Sequence, residues 1–379
     1  MAANNESRRG SEKNSGVFFK MKVFDGKSIF VTGSCGTIGA ELVVQLLSNP
    51  KYNPKEVIGI DNNESALFFQ DQQFLDDSRA SFFVTDIRDK DELSKRMRST
   101  DIVIHAAALK HVILCERSPE QAVQTNINGV QNVIAAADIN NVEVVIFTSS
   151  DKAVNPTNVM GTTKLMGERL MTAANSSKRE KGPIFSSTRF GNVLGSNGSV
   201  IPIFRNQILN GGPVTLTDKN MTRFVMSVEE AVELVLNSVI EAKGGEVFVT
   251  KMPVMRIKDL AVAMIEELCP EGVEITKIGS KPGEKLYEEL MSDEETRRTI
   301  ELDQFFSVLP AFRGVYSDIT YNYSTIVSEL VEDPYVSEKQ TSLTVKEVKC
   351  FLNDNNLLLD SNTGEQNIRY WPGDKEEKS

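Results

Sequence analysis

The segment Thr32-Gly33-Ser34-Cys35-Gly36-Thr37-Ile38-Gly39 constrains this chain more than any other. It follows the apolar run KSIFVTG and leads into AELVVQLL. Three glycines between a buried strand and a helix let the backbone turn tightly, approach a pyrophosphate and pack the helix on a sheet. The helix N-terminus then offers unpaired N–H groups and partial positive charge to phosphate. Glycine loops also serve plain turns, but placement between the first strand and first helix of an α/β unit points to a dinucleotide. The next apolar run ends in Ile60-Asp61, twenty-two residues after Gly39. An acid there accepts hydrogen bonds from the adenosine ribose and repels a 2′-phosphate. No basic residue stands in Asp61-Asn62-Asn63-Glu64, so NAD is expected rather than NADP.

KSIFVTG, EVIGID, ASFFVTD, DIVIHAA and VEVVIFTSS are brief, β-branched and ended by small or polar residues, as buried parallel strands are. Helix-length stretches lie between or after them at 38–48, 120–138 and 157–174, and a sixth strand is expected at 184–190. This alternation predicts an α/β fold, a Rossmann-like doubly wound parallel sheet with right-handed crossovers. After Asn192 turn signals multiply, and short strands mix with helices at 228–240 and 257–268. That texture predicts a smaller α+β lobe aimed at the carboxyl ends of the strands, where open sheets bind ligands. The expected division is a disordered tail over 1–25, a dinucleotide domain over 26–192 and the lobe over 193–314, with some chain crossing between them. A polar, partly disordered extension over 315–379 follows, with one amphipathic helix near 343–353. Asp86 and Ile87, after the third strand, are candidates to flank the adenine, although Asp86 also reads as a simple helix cap. Ala106, Ala107 and Ala108, after the fourth, leave room for the middle of the cofactor.

A formal net charge of −11 argues against a nucleic-acid-coating surface, which needs a basic face. No apolar run approaches the roughly 20 residues of a membrane helix, and the first sixteen residues lack the apolar core of a secretion signal. Cys35, Cys115, Cys269 and Cys350 form no CxxC pair, as fits reduced thiols. A cytoplasmic protein without a membrane partner is expected. His105 and His111 are the only histidines, so no metal centre is expected.

The fifth run ends in Ser149-Ser150-Asp151-Lys152-Ala153, and a helix follows with Met160-Gly161-Thr162-Thr163-Lys164. TGSCGTIG, AALKHV, SSDKAVNPTNVMGTTK, RFGNVLGSNGSVIPIF, MTRFVMS and KPGEKLYEEL stand in the order of the extended short-chain dehydrogenase/reductase superfamily, which the chain resembles over about 27–312. Within it the chain looks most like the nucleotide-sugar 4,6-dehydratases that act on UDP-N-acetylglucosamine in polysaccharide biosynthesis. One departure is large. The superfamily carries Tyr-x-x-x-Lys, and here Met160 holds the tyrosine position. A thioether neither takes nor gives a proton. Resemblance to a methionine-bearing subgroup nevertheless implies an active enzyme that retains configuration at C5, whereas tyrosine-bearing relatives invert it.

The resemblance implies hydride removal from C4, which makes a ketone and acidifies C5. A base then takes the C5 proton, an acid helps the C6 hydroxyl leave as water, and hydride returns to C6. Asp151 is the candidate acid, Lys152 the base, Ser150 the partner of the C4 oxygen, and Lys164 the holder of the nicotinamide ribose. Each proton transfer is typically worth about 10²–10⁴-fold. To act as a base Lys152 needs a lowered pKa, expected from burial beside Lys164 and the oxidised nicotinamide. The base for the C4 hydroxyl is open between Ser150 through water and Asp151. A bland alternative is that Asp151 and Lys152 form a surface ion pair.

Asn126 commonly anchors backbone or water in this superfamily, beside the cofactor. On the substrate side, Lys110 and Asn192 are expected near the sugar, Val200, Ile201 and Phe204 as an apolar wall, and Glu284 on the nucleotide's ribose. Arg223 and Arg256 are the cations assigned to the diphosphate, since guanidinium binds phosphate oxygens in a fork. A homo-oligomer is expected from the resemblance. A GDP-sugar substrate, a C5-inverting course, a C4 epimerase and a silent NAD-binding module stay open as alternatives.

Overall fold

The structure is a computed structural model that describes residues 23–178, 182–196, 199–279, 283–312 and 319–358. Residues 1–22 and 359–379, with most of the expected N-terminal tail and the charged C-terminal end, lie outside the described residues.

Six strands build the N-terminal half of the chain: β1 (Ser28–Thr32), β2 (Glu56–Asp61), β3 (Ala80–Val84), β4 (Ile102–His105), β5 (Val144–Ser150) and β6 (Ile184–Phe190). They run parallel in the order 3-2-1-4-5-6, the arrangement that opens a crevice where the order reverses. Alternation along each strand feeds both faces. Ile29 and Val31 join a core with the helices Thr37–Ser48 and Val228–Glu241, while Phe30 joins one with Gly129–Ile139 and Val159–Ser177.

The smaller lobe holds β7 (Asn192–Val193), β8 (Val214–Leu216), β9 (Thr222–Met226), β11 (Val254–Arg256), β12 (Ile275–Lys277), β13 (Glu289–Met291) and β17 (Tyr335–Val336). The chain also returns to the main sheet. β10 (Val247–Thr250) adds in parallel beside β6, and β15 (Phe305–Val308), β14 (Thr299–Leu302) and β16 (Ile326–Ser328) extend it antiparallel to ten strands. Among the described residues no helix is long and apolar enough to cross a membrane.

Three expectations need correcting. Phe24, placed in the disordered tail, is fully buried against Tyr52 in the main core. Much of the extension beyond 314 is built into the fold. Tyr323 is buried against Phe248 and β16 edges the main sheet, while the helix expected near 343–353 is present as Val345–Asp354 and buries Val348 and Leu352 in the lobe core. The helix expected at 120–138 is interrupted by a π turn at Gln124–Asn128, a distortion common at functional sites.

Candidate active site

The glycine loop forms because nothing larger fits. A Cβ on Gly39 would lie 2.0 Å from the Gly33 carbonyl oxygen, so the helix Thr37–Ser48 rests directly on the loop. Its N-cap is Gly36, with no side-chain cap, which leaves first-turn N–H groups for a ligand. Asp61 sits at the end of β2, where its Oδ2 accepts the Cys35 N–H at 3.1 Å and its Oδ1 the Asn63 N–H at 2.9 Å. The carboxylate thus fixes the loop and keeps lone pairs for hydroxyls. Ser34 is fully buried, and burial with the Asp61 charge pushes the Cys35 thiol up to about 11, making it inert.

In front of the loop lies a cavity of about 560 Å³, lined by Gly36, Thr37, Ile38, Gly39, Ala106, Ala108, Lys110, Ser150, Lys152, Met160, Lys164, Asn192 and Val200, among others. A second cavity, of about 600 Å³, opens under the lobe and is lined by Arg223, Glu284, Lys285 and Glu288 together with Val112, Ile113 and Leu114. The two share His111, Lys152 and Asn192. These cavities fit a dinucleotide and a polar partner meeting at Lys152. Among the described residues lining the two cavities, Asn192 Oδ1, Ser199 Oγ and Glu288 Oε2 are buried oxygens without a hydrogen-bond partner, and so are free to meet a ligand.

The turn that carries the chemistry is made locally. Ser150 ends β5 and caps the short helix Asp151–Ala153, which packs on the helix Val159–Ser177 at Gly161, where a Cβ would lie 2.1 Å from the Lys152 carbonyl oxygen. Asp151 is fully buried. Its Oδ1 accepts from Ser150 Oγ at 2.5 Å, the Lys152 N–H at 2.8 Å and Lys152 Nζ at 3.1 Å, and its Oδ2 takes Nζ at 3.3 Å. The pair is half-buried: Asp151 is enclosed, while the Lys152 side chain keeps 28% of its surface exposed where it lines the cavities. Lys152 Nζ also stands 3.7 Å from Glu288 Oε1.

The expected fall of the Lys152 pKa is not found. Burial pushes it down, but the charges of Asp151 and Glu288 outweigh burial, so the ammonium is held above its usual value. Lys164 is the lysine that falls. Burial takes it down to about 8, with its Nζ donating to the Thr148 carbonyl at 2.8 Å and lying 4.7 Å from the Phe147 ring centre. Met160 is buried in an apolar cluster with Cys115 and Ala122, a place that would desolvate any proton carrier.

The other expected residues divide. Asn126 clamps the backbone N–H and carbonyl of Leu109, at 2.8 and 2.9 Å, and holds Thr163 Oγ1 at 3.0 Å. It therefore shapes the wall instead of touching the cavity. Ala107 pins to Thr32 Oγ1 through its N–H. Lys110 lines the dinucleotide cavity, and burial lowers its pKa.

Five of the expected residues lie away from the two cavities. Arg256 is exposed and bonded to Asp259 at 2.7 Å, lining neither cavity, because strand alternation turns Met255, not Arg256, to the side of Arg223. Ile201 and Phe204 belong to the lobe core, and only Val200 reaches a cavity. Ile87 is buried under the sheet. Asp86 is chelated by Arg88, with Asn62 assisting, which holds its carboxyl below the usual range at a separate surface depression.

Glu288 was missed, although it stands within the quoted KPGEKLYEEL. Its backbone is locked to Ser337, and Arg223 braces the same segment by donating to the Lys285 and Leu286 carbonyls while lying 3.6 Å from Glu288. Burial and the Asp151 charge raise the Glu288 carboxyl above its usual range.

Sheet order, uncapped glycine loop and the Ser150–Lys152 turn facing Lys164 define an extended short-chain dehydrogenase/reductase. Within that superfamily the chain belongs to the polysaccharide biosynthesis protein family, whose model matches residues 29–310, and it is an enzyme. It is 51% identical to an uncharacterized membrane protein, MJ1061, of Methanocaldococcus jannaschii, over 76% of this chain and 87% of that one. It is 38% identical to the UDP-N-acetylglucosamine 4,6-dehydratase (inverting) of Campylobacter jejuni, over 80% and 89%. Other matched relatives carry the name UDP-glucose 4-epimerase. Among solved structures, Pen from Bacillus thuringiensis superposes with a TM-score of 0.81 at 39% identity, covering 88% of this chain and 99% of that one.

Proposed function

We propose that this protein is an NAD-dependent nucleotide-sugar 4,6-dehydratase whose substrate is UDP-N-acetylglucosamine. The observation that carries the proposal is the meeting of two cavities at Lys152 and Asn192, with carboxylates on both sides of the Lys152 ammonium. An epimerase needs only the C4 oxidation. A lysine held between two carboxylates, at the junction of cofactor and sugar, supplies the base and acid that water elimination adds.

In this proposal the loop Gly36–Gly39 and the helix behind it hold the pyrophosphate, and Asp61 holds the adenosine ribose. Bound NAD would supply the hydride acceptor for C4 and the donor for C6. Lys164, with its lowered proton affinity, donates to the nicotinamide ribose. Ser150 reaches the C4 oxygen, and Lys152 takes the proton from C5 once its own proton has left. The charges of Asp151 and Glu288 hold the Lys152 proton, and the positive charge of bound oxidised NAD in the neighbouring cavity would favour its loss. Asn192 presents its unpaired oxygen to the sugar, and Arg223 orders the loop at Lys285 and Leu286. A homo-oligomer, a cytoplasmic setting and the division into halves near residue 192 belong to the same proposal.

Two observations pull apart on the course at C5. The named dehydratase relatives are inverting, which weighs against the retention implied by resemblance. Inversion needs a base on one face of C5 and a proton donor on the other, and a methionine at the tyrosine position supplies neither.

The purified protein is expected to convert UDP-N-acetylglucosamine to a product lighter by one water, seen by mass spectrometry. An unchanged mass with inverted C4 would make it an epimerase, and turnover of the GDP-linked sugar alone would overturn the nucleotide assignment. Asp61→Ala is expected to weaken NAD about tenfold or more, the order of a lost charge-assisted hydrogen bond, and to leave the much weaker NADP nearly unchanged. Equal losses by calorimetry would remove Asp61 from cofactor choice.

A further inference from the structure

We infer that Ser337, beyond residue 310 where the family match ends, is a positioning residue of the sugar pocket: it aims Glu288, whose free carboxylate oxygen accepts a hydrogen bond from the sugar. The assignment rests on the dehydratase reading and leaves the acid for the C6 hydroxyl at Asp151, as the resemblance implies.

Glu288 is buried and lines the lobe cavity. Its Oε1 lies 3.7 Å from Lys152 Nζ and 3.6 Å from Arg223 Nε, while its buried Oε2 has no partner. A buried acceptor left unpaired is costly, and a donor on a ligand removes the cost. The sugar of UDP-N-acetylglucosamine carries such donors in its amide N–H and ring hydroxyls. A carboxylate repels diphosphate oxygens, and nearness to Lys152, the candidate base at C5, sets this one beside the sugar and not the nucleoside.

Ser337 is fully buried, and its hydroxyl is engaged on three sides. Oγ accepts the Glu288 N–H at 2.9 Å, lies 2.9 Å from Thr222 Oγ1 and faces the Thr222 carbonyl at 3.4 Å. The Ser337 N–H returns to the Glu288 carbonyl at 2.9 Å. One residue thus holds the peptide planes on both sides of the Glu288 Cα, which fixes the direction of its side chain. Thr222 adds a further tie, since its N–H donates to the Leu286 carbonyl at 3.0 Å. Ser337 has little freedom of its own. β17 pairs with β13, and Tyr335 exchanges hydrogen bonds with the Met252 backbone at 2.9 and 3.0 Å and packs its ring 4.5 Å from that of Phe224.

Neither Ser337 nor Thr222 lines either cavity, so the serine reaches a ligand only through what it holds. Removing its hydroxyl leaves the buried Glu288 N–H without an acceptor and frees one end of that residue. The pairing of β17 with β13 does not use the hydroxyl and persists. The expected consequence is a Glu288 carboxylate that no longer keeps its aim, in a lobe that is otherwise intact.

The test is a double-mutant cycle, read as the Kd for UDP-N-acetylglucosamine on protein loaded with NADH, which cannot take hydride from C4. Ser337→Ala is expected to weaken binding about tenfold, the worth of one buried hydrogen bond left unmade. Glu288→Ala is expected to weaken it at least as much, and adding Ser337→Ala to that variant to cost less than about twofold more. Val348→Ala, in the same extension but in the lobe core, is expected to lower stability in urea yet leave the Kd within about twofold of wild type. An equal effect of Ser337→Ala in both backgrounds, or none in either, would overturn the assignment. So would unchanged affinity in Glu288→Ala, or a matching loss of affinity in Val348→Ala, which would make the effect one of general stability. If the wild-type protein binds no UDP-N-acetylglucosamine, the substrate reading itself fails and takes this assignment with it.

Discussion

Lys152→Ala is expected to cut turnover by about 10²–10⁴-fold, the worth of one proton-transfer group, and to leave NAD affinity nearly unchanged. The side chain reaches the wall common to the two cavities, with its Nζ bonded to Asp151 and close to Glu288. The pyrophosphate site proposed above, in contrast, is the loop and helix at Gly36–Gly39, which Lys152 does not touch. Loss of turnover with unchanged binding separates a chemical role from a structural one. Comparing kcat with the calorimetric Kd for NAD makes the check, and wild-type turnover in the variant would remove Lys152 from the mechanism.

Arg189→Met is expected to cost about 3–5 kcal/mol of folding stability, because it leaves two buried carboxylates without their cation. Arg189 is 1% exposed. It donates to Glu168 at 2.8 and 2.6 Å and to Glu295 at 2.9 and 2.8 Å, and its Nη1 also reaches the Leu290 carbonyl at 3.1 Å. These bonds tie β6, the helix Val159–Ser177 and the segment after Glu288 into one block, and Ser149 joins through Glu168 at 2.5 Å. Burial alone would raise the Glu295 carboxyl, but Arg189 overrides it and holds it at about 2, against an ordinary 4.5. A carboxyl depressed in the folded state contributes stability above its unfolded pKa and loses it as pH falls through the folded one. Without Arg189, burial raises the carboxyl in the folded variant above its ordinary 4.5, so the gap between wild type and Arg189→Met is expected to be widest at high pH and to narrow from above 4.5 toward 2. Urea denaturation across that window measures it, and a difference below 1 kcal/mol at neutral pH would contradict the network's weight.

The nucleotide half was legible because its signals are local. Apolar runs of strand length, glycines at 33, 36 and 39, and an acid at the end of β2 each declare themselves within a few residues. Six parallel strands follow, as that alternation predicts, although their order is read only from the fold. The turn at Ser150–Lys152 and the position of Met160 were legible for the same reason. What stayed hidden depends on contacts far apart in the chain. Glu288 becomes part of the site only when the lobe folds back on Lys152, and Ser337 matters only once β17 pairs with β13. Arg256 looked like a phosphate ligand by residue type, but its side is decided by pairing between β11 and β9. Ile201 and Phe204 were apolar as expected, yet helix periodicity turned them to the core. The Lys152 pKa went the other way because two carboxylates meet it, one of them invisible from the neighbouring sequence.

The most direct measurement is proton NMR of the product formed from UDP-N-acetylglucosamine in heavy water. The account expects a 4-keto-6-deoxy sugar that carries one deuterium at C5, put there when the site returns a solvent-exchanged proton, and the coupling at C5 reads the configuration in the same spectrum. Product with the original hydrogen at C5 and its C6 hydroxyl intact would contradict it.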